Sequence, residues 1–152
     1  LAVVLMAVVL SMVFRSVRVG IISLLPNAVP ALIAVALWTL LAGKMGVALA
    51  IVTTMTLGVV VDDTVHFTAC FLHARRVLML SPEEAVGHAF ALTGAALIST
   101  SLVLALGFCV LALSAFEVNH AMGLLSALII VCALISDFLM LPGLLIGAAR
   151  YG

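Results

Sequence analysis

The sequence predicts an all-α membrane protein, a bundle of five transmembrane helices. Three observations predict it. Of 152 residues, 67% are hydrophobic and only 8% charged, whereas a soluble domain of this length carries about a quarter charged residues to cover its surface. The stretches 19–43, 45–61, 85–116 and 118–136 contain no Asp, Glu, Lys or Arg, and a membrane-spanning helix needs about 20 mostly apolar residues. The apolar runs are continuous and do not alternate with period two over segments of about ten residues, as a membrane β-barrel would require. Helices are then the way to satisfy backbone polar groups in lipid. The same composition excludes a soluble enzyme, a nucleic-acid binder and a disordered tail.

Charge punctuation sets the helices at 1–14, 20–42, 47–72, 85–114 and 121–149. The first is too short to span unless residues precede Leu1, and the chain opens inside an apolar run with neither a Met nor a basic leader. It is expected to be a piece of a larger protein. In the second helix Pro26 and Pro30 flank Asn27; a proline removes a backbone donor, so a kink near one membrane face is expected. The fourth helix follows Ser81-Pro82-Glu83-Glu84, which reads as an N-cap serine, a proline at the first helical position and two acids against the positive end of the helix dipole. Its small residues Gly94, Ala95, Ala96, Ser99, Thr100 and Ser101 would allow close approach of a neighbouring helix. In the fifth, Asp137 precedes Pro142 by five residues, so it would have a structural role, capping a turn broken by that proline or pairing with a loop arginine, with a place in a proton relay as the alternative.

Each span reverses the side of the membrane, so the connections sort by parity. Arg15, Arg18, Arg75, Arg76 and Arg150 fall on one side and Lys44 alone on the other. By the positive-inside rule the arginine-bearing loops and the C-terminus are cytoplasmic. Cys70, Cys109 and Cys132 lie in apolar runs without metal-ligand or disulfide spacing and read as small buried hydrophobes. No metal and no cofactor is expected.

The chemistry concentrates in the third helix. Asp62 and Asp63 stand side by side in its middle, where one charged residue costs roughly 2.5–3.5 kcal/mol on insertion scales. Desolvation and mutual repulsion work against a doubly charged pair, which is thereby suited to exchange a proton. Gly58, Asp62, His66 and Cys70 recur every four residues, with Thr54 and His73 extending the stripe and Asp63 three residues before His66. Asp62, Asp63 and His66 are the expected proton relay, supported by Thr64 and, from the fourth helix, by Thr100 and Ser101. The bland alternative is that these groups only tie helices together, and for the hydroxyls taken singly a bond to the local backbone is the default. Glu117, Asn119 and His120 are expected in a solvated turn, and His88 at an interface.

The run Gly58-Val59-Val60-Val61-Asp62-Asp63-Thr64-Val65-His66-Phe67 closely resembles the fourth-helix motif of the resistance-nodulation-division (RND) superfamily, nearest to MMPL-type exporters, a branch related to sterol-sensing-domain proteins. Leu25-Pro26-Asn27 with Pro30 is similar to that family's third helix. Gly94 with Thr100-Ser101, Gly107-Phe108 and Ser114-Ala115-Phe116 is similar to its fifth, and Ser136-Asp137-Phe138 with Leu141-Pro142 to the end of its sixth. The resemblance implies the last five helices of a six-helix half, with an extracytoplasmic domain and an N-terminal half of the same protein outside this sequence. It implies proton-driven export of hydrophobic or amphiphilic, lipid-like molecules across a bacterial inner membrane, with Asp62 and Asp63 as the coupling pair. Membrane lipids are the expected partners; assembly stays open, because the family includes monomers and trimers. A lipid-binding receptor or scaffold of the sterol-sensing kind, without transport, is the alternative. An intramembrane aspartyl protease pairing Asp62 with Asp137 is disfavoured, since the glycine stands four residues before the acid and no Tyr-Asp motif is present.

Overall fold

A computed structural model describes residues 23–42 and 47–150, together with Val8, Ser11, Met12 and Gly20. Four helices account for nearly all of the two long segments: α1 (Leu25–Ala42), α2 (Val47–Arg76), α3 (Pro82–Ala112) and α4 (Glu117–Arg150). The described residues form no strand. Three stretches, Thr54–Arg76, Pro82–Ala112 and Glu117–Ala149, are long and apolar enough to cross a membrane, while the apolar helix at Leu25–Leu40 is shorter. The expected helix over 1–14 and the charges Arg15, Arg18 and Lys44 lie outside the described residues, apart from Val8, Ser11 and Met12.

The ends of the helices differ from the sequence reading for identifiable reasons. The helix expected at 20–42 begins at Leu25, and the amides of Asn27 and Ala28 turn back to the Leu24 carbonyl. Pro26 therefore sits in the first turn, where a missing N–H costs nothing, and makes no interior kink. Pro30 is the proline inside this helix, and its missing donor leaves the Pro26 carbonyl without its usual intrahelical partner. α2 runs past residue 72 to Arg76, with His73, Arg75 and Arg76 on the last turn, where positive charge meets the negative end of the dipole. α3 starts at Pro82, three residues earlier than 85. Ser81 Oγ accepts from the Glu84 amide at 3.3 Å and Glu84 Oε2 accepts from the Ser81 amide at 2.9 Å, a complete capping box. α4 begins at Glu117, so that residue, Asn119 and His120 belong to its first turn and not to a loop; the His120 ring meets the Ala112 carbonyl at the end of α3. Helix α4 continues through Pro142 to Arg150.

Two apolar clusters separated by a polar layer hold the helices. Val52 and Val60 of α2, Ala105 of α3 and Leu125, Ile129 and Ala133 of α4 make one. The other gathers Phe67 and Phe71 of α2, Ala89 and Leu97 of α3, and Leu141 and Leu145 of α4. Phe90 bridges the second cluster, its ring 4.8 Å from that of Phe67 and 5.2 Å from that of Phe138, within the range of favourable tilted and edge contacts. On each of α2, α3 and α4 the polar residues Asp63 and Thr64, Ser101, and Asp137 fall between the two sets. Their depth follows from helical rise: Thr64 lies about 18 Å from Arg76 and Asp137 about 20 Å from Arg150 along their helices. Those two ends share a side of the molecule, where Arg75 and Arg76 line a cavity of about 220 Å³ with Leu145 and Ala149.

A close approach of α3 and α4 is made by a glycine the small-residue pattern did not single out. A Cβ on Gly123 of α4 would strike the Ala112 amide nitrogen and the Phe108 carbonyl of α3, and would lie 2.9 Å from Ala112 Cα. Gly94, expected to admit a neighbour, meets only the Phe90 ring of its own helix, at 3.7 Å. Ala95, Ala96, Ser99 and Thr100 are exposed. Small residues permit close approach, but the interface forms where the facing helix also offers bare backbone.

Candidate functional site

Helix α2 divides its polar residues between two faces. Val52, Thr56, Val60, Thr64, Phe67, Phe71 and Ala74 are buried, recurring at the three- and four-residue steps of one helical face. The stripe of Thr54, Gly58, Asp62, His66 and His73 lies on the exposed face, with Cys70 half-buried. Asp63, one residue on and so about 100° around the helix, is half-buried and turned towards α3. The Ser101 hydroxyl donates to Asp63 Oδ2 at 2.9 Å.

Thr64 is at the centre of the polar layer. It is fully buried, as is Asn27 at 1% exposure, and Asp137 is 6% exposed. The Thr64 hydroxyl donates to Asn27 Oδ1 at 2.9 Å and reaches Asp137 Oδ1 at 3.1 Å. The Asn27 amide is oriented by its own helix, since Nδ2 donates to the Ser23 carbonyl at 2.9 Å. One hydroxyl thus links α1, α2 and α4. Thr39, Thr56 and Thr93, by contrast, each donate to the carbonyl four residues earlier in their own helices. Thr56 has a second contact, 3.2 Å from the Ser126 hydroxyl of α4. Among the described residues, Ser23 Oγ and Thr68 Oγ1 are buried without a hydrogen-bond partner.

Of the residues read as a relay, the structure brings Asp63 together with Ser101, and Thr64 together with Asp137. Asp62 and His66 stand one turn apart on the exposed face, away from the polar layer. Thr100 is exposed, its hydroxyl donating to the Ala96 and Leu97 carbonyls of its own helix. Asp137 caps no broken turn, and its hydrogen-bond partner among the described residues is the Thr64 hydroxyl. Helix α4 is unbroken at Pro142, and a buried carboxyl in this position takes its partner from the facing hydroxyl of α2.

Asn27 is the residue sequence reasoning passed over as a site, having placed it between two prolines and in a helix motif but with no partner. The signal was available: an amide in an apolar helix requires a hydrogen-bonding partner when it is buried. The three cysteines are free, with Cys109 exposed and the other two half-buried, so they are less enclosed than expected. Among the described residues no three His, Cys, Asp or Glu side chains come together in a group that could hold a metal ion. Chemically, the layer offers carboxyls and hydroxyls that can hold and pass protons. The chain matches no known family model, no curated protein and no solved structure.

Proposed function

We propose that this chain is the membrane domain of a proton-driven exporter of hydrophobic or amphiphilic molecules, of the RND type and nearest its MMPL branch. The observation that carries the reading is the acid and hydroxyl layer. Asp63 with Ser101, and Asp137 with Thr64 and Asn27, lie between apolar clusters in helices of which three are long enough to cross a membrane. Carboxyls at such depth are costly to keep, and in membrane proteins they mark ion and proton pathways. A charge moved through the full membrane potential contributes roughly 2.3 kcal/mol per 100 mV, enough to bias an alternating cycle when coupled to helix movement. Proton uptake at Asp62 or Asp63 removes one charge from the pair and loosens its hold on neighbouring helices, and that movement drives the substrate-handling part of the protein.

The exposed position of Asp62 and His66 fits this reading. An acid on the outer face of a membrane helix requires a polar neighbour within the bilayer, and the other half of the protein supplies it. The arginine-bearing ends of α2 and α4 then face the cytoplasm of a bacterial cell. The test replaces Asp62 and Asp63 singly by Asn in the intact protein. Membrane insertion is expected to persist while proton-dependent export is lost; undiminished export that still depends on the proton gradient overturns the reading.

A second reading, a lipid-binding receptor without transport, has one observation in its favour. An apolar cleft of about 360 Å³ is lined by Ile98, Leu134, Ile135, Phe138 and Leu139. Lipid-dependent conformational change that survives loss of Asp62 and Asp63, with no transport, would decide for it.

A further inference from the structure

The hydrogen-bond count at Thr64 does not close with ionised Asp137. A threonine hydroxyl has one hydrogen to give. Its oxygen here lies 2.9 Å from Asn27 Oδ1 and 3.1 Å from Asp137 Oδ1, and both of those atoms are acceptors when the carboxyl is charged. Turning the Asn27 amide over does not help, because Nδ2 is committed to the Ser23 carbonyl at 2.9 Å and the turned amide would set two oxygens against each other. All three residues are buried, so water does not reach the unpaired acceptor from outside. One extra proton completes the set.

We infer that Asp137 is held in this packing as a carboxylic acid whose O–H donates to Thr64 Oγ1, making Asn27, Thr64 and Asp137 a proton-dependent latch across α1, α2 and α4. With the proton in place, hydrogen bonds run in one direction, from Asp137 to Thr64, from Thr64 to Asn27 and from Asn27 to the Ser23 carbonyl. When the packing opens to water and the proton leaves to it, Thr64 turns its hydrogen to the Asp137 carboxylate. Asn27 Oδ1 then loses its donor, and the tie between α1 and α2 opens while that between α2 and α4 persists. The proton is therefore read out as the position of α1.

Few groups bear on this site. Among the described residues, Asp63 of α2 bears electrostatically on Asp137. Asp62 and His66 of the same helix face away. From α1 comes the neutral Asn27 amide. The ionisable residues of α3 are Glu83, Glu84 and His88 near its start and Cys109 near its end; α4 adds Glu117 and His120 at its start, Cys132, and Arg150 at its end. The latch does not depend on the transport reading, which assigns coupling to Asp62 and Asp63.

The experiment is infrared difference spectroscopy of the intact protein in phospholipid vesicles across a pH titration. A protonated-carboxyl carbonyl band, sensitive to deuterium, is expected at neutral pH in the parent protein and in the Asp62→Asn and Asp63→Asn variants, and is expected to vanish in Asp137→Asn. An Asn side chain donates to Thr64 at every pH, so that variant keeps the packing. Thr64→Val should leave the band but shift its frequency, because the acid loses its acceptor, and it reports on Asp137 even if Asp137→Asn does not fold. Absence of the band in the parent protein, its survival in Asp137→Asn, or an unmoved frequency in Thr64→Val overturns the inference. Export failing in Asp62→Asn while the band remains separates the two proposals.

Discussion

Replacing Thr64 by Val removes the one hydroxyl that joins three helices while keeping the shape of the side chain. Measured hydrogen bonds between membrane helices average about 0.6 kcal/mol and reach about 1.7. Two are lost here, which sets a scale of about 1 kcal/mol if the partners find others. Burial decides that they do not: Thr64 is fully buried and Asn27 and Asp137 nearly so. Leaving a buried polar group bare costs about 1–3 kcal/mol in place of that figure; with two groups bared, each near the lower end, we expect a loss of about 2–3 kcal/mol in all. Thr68 supplies the internal control. It lies one turn further along the same face of α2, is equally buried, and its hydroxyl has no partner among the described residues, so Thr68→Val, which removes a bare buried hydroxyl, should leave stability unchanged or raise it by about 1 kcal/mol. Reversible unfolding in mixed detergent micelles measures both, and the expected gap exceeds tenfold in the unfolding equilibrium, since about 1.4 kcal/mol is tenfold. Thr64→Ser, which restores the hydroxyl, should recover most of the loss. Equal destabilisation by the two valine variants would refute the reasoning, because the effect would then belong to packing and not to the hydrogen bonds.

Two other perturbations use the same unfolding measurement. Gly123→Ala places a methyl against backbone atoms of Phe108 and Ala112 that cannot swing aside, and should cost roughly 1–3 kcal/mol through separation of α3 and α4; Gly107→Ala, with nothing within 4 Å of the added carbon, should be neutral or stabilising by up to about 1 kcal/mol. Ser101→Ala removes the donor 2.9 Å from Asp63 Oδ2 and should cost about 1 kcal/mol, whereas Thr100→Ala, which loses only bonds to its own helix, should stay within about 0.5 kcal/mol.

The helices were legible in the sequence because charges and caps punctuate it. Ser81-Pro82-Glu83-Glu84 fixes the start of α3 through groups that interact locally, so four adjacent residues carry the whole signal. The pairing of Thr64 with Asp137 and of Asp63 with Ser101 was only half legible. Each residue stood out as polar in an apolar run, but the partner is set by rotation of one helix against another. In a soluble protein that rotation is written as an apolar stripe. Here both the packed and the lipid-facing sides are apolar: exposed Leu92, Leu102, Val103 and Leu106 of α3 are as greasy as its buried Leu97.

That ambiguity explains why Asp62, His66 and Gly58 could be read as a coherent ladder and yet lie outside the packed layer. Spacing of four guarantees a shared face, but says nothing about what the face meets. The buried face of α2 has its own polar series, Thr56, Thr64 and Thr68, also at multiples of four. Of the two series, the threonines are cheap to bury, because a hydroxyl can return to its own backbone, as Thr56 does. A carboxyl and an imidazole have no such recourse. The acid buried deepest in the packed layer, Asp137, is met by a threonine whose hydroxyl serves it instead of its own backbone, and the cost of burying that acid is what makes Thr64, and not the more conspicuous Asp62, the residue on which the arrangement of α1, α2 and α4 turns.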